Sequence, residues 1–147
     1  MEKTTYLDII ELILALVKSY EIDGIFDQYE EDGVLDLLEP YFKFAAGELE
    51  ITDSGIKVSR NDETKEFDNV LSDGEQLIFA KYVLIGYLTK DKNDILQMRL
   101  HLQDGDFKTY AEANNLSAKT SSLETLKEEV NWNVKKIDYA RTNVWGV

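Results

Sequence analysis

A chain of 147 residues, 44% hydrophobic and 31% charged, has the length and apolar content for one core with a soluble exterior. With no cysteine and a single histidine it has no disulfide framework or thiolate zinc site, and its formal charge of −13 opposes conventional groove binding to phosphate backbones. All of the net charge falls in residues 21–75, which carry 17 acidic and 4 basic side chains, while the flanking segments balance.

Thr5 followed by Asp8 has the spacing of a capping box, and Tyr6, Ile9, Ile10, Ile13, Leu14, Leu16 and Val17 then recur at helical spacing, so residues 5–20 are predicted to be a helix. Leu7 and Leu12 widen its apolar arc and point to burial on more than one side. The run Ile9 to Val17 contains Glu11 and follows Asp8, which makes it too short and too charged for a membrane span or signal peptide; no membrane partner is expected. Gly24, Gly33 and Pro40 divide the next stretch into two short helices, about 25–31 and 35–46, with Pro40 at a bend or in a first turn.

Leu49, Ile51, Ile56 and Val58 alternate around Asp53-Ser54-Gly55, which predicts a small β-hairpin over about 49–59. Residues 59–66 have no apolar side chain and read as an exposed loop. Ser72 and Glu75 form a second capping box before a run, Leu77 to Leu88, that is apolar on nearly every face; this central helix is expected over about 73–89. Ile95, Met98 and Leu102 predict a short helix over about 90–102, and Asp104-Gly105-Asp106 reads as a turn. Residues 117–122 are polar and read as a loop, followed by a capping box at Ser121 and Glu124. A narrow stripe of Leu123, Leu126, Val130, Val134 and Ile137 then runs to about Arg141, and residues 142–147 form a tail.

The expected fold is therefore mainly α: one domain over 1–147, a helical bundle around the central helix, with a small hairpin and a long amphipathic C-terminal helix. His101 is the only histidine and has no partner residue types for a transition-metal site. No serine elbow or Gly-rich phosphate loop occurs, and Ile95 stands where a calcium loop beginning at Asp91 requires a ligand. No enzyme chemistry, catalytic residue, metal or cofactor is expected. Asp27, Glu30, Glu31, Asp32 and Asp36 are the candidate acidic face, against the plainer reading of a solvated surface. Trp132, Val144 and Trp145 are candidate interface residues, since tryptophan anchors many interfaces; Trp132 packed on its own core is the plainer alternative.

From about Phe67 onward the order of features resembles small structural proteins of tailed bacteriophages, from their head and neck modules. The residues that carry it are Glu75-Gln-Leu-Ile-Phe-Ala80 leading to Tyr87-Leu88, Gln97-Met98, Leu100, Leu102, Asp104, Asp106-Phe-Lys-Thr-Tyr110 with Ala113-Asn114, and a last helix ending near Ile137 and Tyr139. The resemblance implies a virion component of head-tail connector or adaptor type, arranged as a homo-oligomeric ring on a portal or other head and tail proteins. It would be made in the host cytoplasm and carried in the virion. An acidic lumen would let DNA pass without specific binding. The alternative reading of the charge is a DNA mimic whose carboxylates occupy a nucleic-acid-binding enzyme.

Overall fold

Thr5 stands in extended backbone, its hydroxyl accepts from the Asp8 N–H, and the Asp8 carboxylate accepts from the Thr5 N–H, so α1 (Tyr6–Ser19) starts on a complete capping box. A computed structural model of the protein describes residues 3–20, 22–52 and 55–145, with side chains for all of these except residue 23 and residues 138–145. Tyr6, Ile9, Ile10, Ile13 and Val17 form the buried stripe of α1; Leu12, Leu14 and Leu16 pack at its margins, and Leu7 faces solvent.

A single 3-10 turn (Asp23–Phe26) leads to α2 (Glu31–Leu38), which buries Val34, Leu35 and Leu38. Pro40 then opens α3 (Pro40–Ile51), taking the first-turn position where its missing N–H costs nothing. The two short helices expected here are present, displaced to later positions.

The hairpin is the main departure from expectation. Leu49 and Ile51 belong to α3, Asp53 and Ser54 lie outside the described residues, and the strands are β1 (Arg60–Asn61) and β2 (Glu66–Phe67), antiparallel with Arg60 opposite Phe67. The segment 59–66, expected to be a loop, is thus a strand, a turn and the start of the second strand, largely exposed but ordered. Two groups fix it there. Asn61 Oδ1 accepts from the N–H groups of Glu63 (3.0 Å) and Thr64 (3.2 Å), and Lys65 takes a left-handed backbone with φ 58 to close the turn. On the outer side of β2, the Phe67 N–H donates to Thr4 O at 2.8 Å and the Tyr6 N–H donates to Lys65 O at 3.0 Å, which makes the approach to α1 a third partner of the ribbon. Gly55 adopts a left-handed backbone with φ 75.

Ser72 and Glu75 cap α4 (Asp73–Gln97) as their spacing requires. Every residue from Ile78 to Gly86 is buried, and the helix continues eight residues past its expected end because no glycine or proline stops it. The extension presents Lys90 and Asp94 to solvent, 2.6 Å apart at i,i+4, and buries only Ile95. Around α4 pack α1, α3 and α6, so it is the central element.

One hydrophobic cluster takes side chains from α1, α2, α3, β2, α4 and α6, with none from α5. At its centre four rings from four elements meet: Tyr6, Phe42, Phe67 and Phe79. Tyr6 stands 4.9 Å from Phe42 edge-on, and Phe79 stands edge-on to Phe42 and Phe67 at 5.2 and 5.4 Å. Phe67 is the side chain that pins the hairpin to the core. Where α3 crosses α4, a Cβ on Gly86 would lie 2.9 Å from Phe44 and 3.0 Å from Tyr41, so the crossing distance depends on glycine.

Asp104-Gly105-Asp106, expected to be a turn, is the first turn of α5 (Asp104–Ala113), where both carboxylates meet the positive end of the helix. Asn115 then adopts φ 54 and turns the chain into α6 (Leu116–Trp145). The polar stretch 117–122 is therefore helix rather than loop, and Ser121 and Glu124 lie within α6 instead of capping it. Two of its polar side chains, Lys119 and Ser122, are buried.

Candidate interaction surfaces

The contact of α6 with α4 combines aliphatic packing with charge. Leu123, Leu126 and Val130 are buried, and Val134 and Ile137 lie partly covered beyond them. Lys81, the one charged residue within the apolar run of α4, is 7% exposed. Its ammonium donates to Asn133 Oδ1 at 3.0 Å and stands 3.3 Å from Glu129 Oε2. Glu129 also accepts from the Tyr20 hydroxyl at the end of α1. Burial, and then the Glu129 carboxylate, raise the Tyr20 phenol well above its ordinary range, so it remains a donor.

Nearer the start of α6, Lys119 stands 2.5 Å from Asp91 Oδ2 on the extension of α4. Burial, with Asp91 close by, pushes the Tyr87 phenol up to about 12. The Ser122 hydroxyl lies 3.4 Å from Tyr20 O. These polar contacts from one helix to two others fix the position of α6 along α4 as well as its attachment. Sequence reasoning missed Glu129 and Lys119; Lys81 was visible as an isolated cation in an apolar run.

The acidic residues singled out in the sequence fall on one short stretch. Asp27 follows the 3-10 turn, Glu30 is the N-cap of α2, Glu31 and Asp32 occupy its first turn, and Asp36 lies one turn on from Asp32; all five are exposed. Among the described residues none has a lysine or arginine within ion-pair distance. Glu31 and Asp32 are stabilised where they stand by the N-terminal end of their helix. The hairpin adds to this surface: Lys65 reaches Glu39 at 2.7 Å, and the Tyr6 hydroxyl donates to Asp62 at 2.5 Å. The Glu39 bond, with Asp62 and Asp36 nearby, raises the Lys65 pKa.

Trp132 is 59% exposed on α6, with Lys136 Nζ 5.2 Å from the ring centre. The backbone of α6 reaches residue 145, but the side chains of Val144 and Trp145 lie outside the described residues. An open groove of about 960 Å³ separates α5 from the start of α6, lined in part by Phe107, Ala111, Leu116 and Ala118. Arg99 covers the Phe107 ring at 4.6 Å, and the neighbouring Leu100 is 83% exposed.

His101 is exposed beyond a 3-10 turn at Met98–Leu100. Among the described residues no three histidine, aspartate or glutamate side chains gather to hold a metal ion. No helix among them is long and apolar enough to cross a membrane. Comparison of the chain with protein-family models, with curated proteins and with solved structures finds no match.

Proposed function

We propose that this protein is a virion assembly component of a tailed bacteriophage, a head-tail connector subunit that joins copies of itself into a ring on a portal or tail partner. The observation that carries the reading is the segregation of charge. The entire net charge of −13 belongs to residues 21–75. Within this segment Asp27, Glu30, Glu31, Asp32 and Asp36 stand exposed at and before α2 without a lysine or arginine partner among the described residues, whereas the exposed Trp132, Lys135 and Lys136 stand on α6. A carboxylate surface facing a channel repels the phosphates of passing DNA and prevents it from sticking. The resemblance of residues 67–142 to phage neck proteins supports the same assignment.

The test is genetic. Inactivating the gene in the phage that carries it should leave DNA-filled heads and unattached tails in the lysate, visible by electron microscopy, and labelled protein should mark the neck of intact particles. Mutant particles that remain joined and infectious would overturn the assignment. Recovery of the protein bound to a DNA-processing enzyme, with particles unaffected, would favour the DNA-mimic alternative.

A further inference from the structure

We infer that the exposed Trp132 face of α6 docks on the acidic stretch 27–36 of a second copy. The inference rests on the ring assembly proposed above and assigns its contact. Trp132, Lys135 and Lys136 stand at i, i+3 and i+4 on α6 and therefore share one face, opposite the side on which Val130, Val134 and Ile137 meet the core. All three are exposed. Residues 131–137 contain no carboxylate, and among the described residues neither lysine has an acidic partner. This face presents a large ring with two cations on its C-terminal side, and Glu128 one turn before it.

The stretch 27–36 has the opposite character. It holds five exposed carboxylates and Tyr29, whose ring is 39% exposed, and no lysine or arginine occurs anywhere from residue 19 to residue 42. A ring beside cations thus faces a ring among anions. The pairing supplies an aromatic anchor together with electrostatic steering and orientation.

One copy cannot satisfy both surfaces by itself. Asp27 and Gln28 border a cavity of about 440 Å³ whose other wall is the α5–α6 corner at Asn114, Asn115 and Lys119. Trp132 lies thirteen residues farther along α6 than Lys119, about 20 Å away at about 1.5 Å per residue, which exceeds the reach of a lysine side chain. The contact is therefore between copies. Because it joins two different surfaces it is head-to-tail, the type that generates rings when its rotation closes.

Carbodiimide cross-linking of the full chain, mixed in light and heavy isotopic forms, tests this directly. Intermolecular links should join Lys135 or Lys136 to carboxylates among residues 27–36. K135E/K136E and E31K/D32K should each weaken self-association at least about tenfold by sedimentation, and the chain carrying all four changes should return to within about threefold of the parent. A parent chain that stays monomeric to millimolar concentration, links confined to other surfaces, or reversal variants that associate as the parent does would each overturn the contact. Rings in virions that persist in the reversal variants would refute this contact and leave the ring assignment standing. Head-to-tail association by a protein absent from virions would do the opposite.

Discussion

Two regions attach to α4 in different ways. On one side α1, α3 and the hairpin reach it through Tyr6, Phe42 and Phe67; the Phe42 and Phe67 rings meet Phe79, Tyr6 packs on both, and the one carboxylate at this cluster, Asp62, sits at the Tyr6 hydroxyl. On the other side α6 reaches it through Leu123, Leu126 and Val130, flanked by the Lys81–Glu129 and Lys119–Asp91 pairs. Ring packing depends on shape and area and has little sensitivity to pH or salt. An ammonium taken out of water contributes little net stability when paired, yet its removal from that pairing is costly, so such groups chiefly discriminate against wrong arrangements. The first region holds the fold together, whereas the second sets where along α4 the long helix sits.

The largest loss of stability is expected at the rings. Phe79→Ala removes the side chain that touches both Phe42 and Phe67 and should cost about 4 kcal/mol, read as a large drop in the urea midpoint with the hairpin and α1 losing hydrogen-exchange protection together.

At the α6 contact the same measurement should give a smaller and differently distributed effect. Glu129→Ala leaves the buried Lys81 ammonium with Asn133 alone, and should cost about 2 kcal/mol with protection lost in α6 before α1. Lys81→Met, which removes the charge while keeping the apolar stem, should cost less than Glu129→Ala. The opposite order would show that the ion pair itself, rather than its desolvation, supports the contact.

Alkaline titration reaches both regions, since burial and a carboxylate partner raise Tyr6 through Asp62 as they raise Tyr20 through Glu129, and a single substitution isolates the α6 side. Tyr20 is raised by burial and by Glu129 from an ordinary value of 10.0, so the unfolded chain gives up this proton first. Its contribution to stability is complete below about pH 10 and is lost as pH rises from there through the higher folded value. Urea midpoints measured between about pH 9 and 11 should fall less steeply in Tyr20→Phe than in the parent. The smallest expected effect is at the cap of α1, where Thr5→Ala should cost about 1 kcal/mol, checked by thermal melting, with no selective loosening of α6.

The parts of this architecture that could be read from the sequence are those decided by neighbours in the chain. The capping boxes at Thr5–Asp8 and Ser72–Glu75, the buried stripe of α1 and the apolar run of α4 all lie within a few residues of the signals that predict them. Alternation around Gly55 resembles a strand pair and points to a hairpin too early in the chain, while the true location is chosen by Phe67 entering a core built from α1, α3 and α4. No local pattern carries that information. The start of α6 was placed too late for a similar reason: Lys119 and Ser122 are polar, and only Asp91 and the Tyr20 carbonyl, both distant in sequence, make it favourable to bury them. Of the candidate surface residues, the acidic five were legible as a group because they are close in sequence, and the exposure of Trp132 was not, because the stripe of α6 does not by itself say which flank remains uncovered.

The missing Cβ at Gly86 has a mechanical consequence. Any methyl group added there acts as a wedge at one end of the α3–α4 crossing, pressing on Tyr41 and Phe44 while Phe42, on the far side of the same turn, stays seated against Phe79. The Phe44 ring, 40% exposed, has room to swing outward, so the strain falls first on the outer edge of the crossing rather than on the core. The close approach of α3 to the most buried helix is thus guarded by two rings that a single added atom would displace.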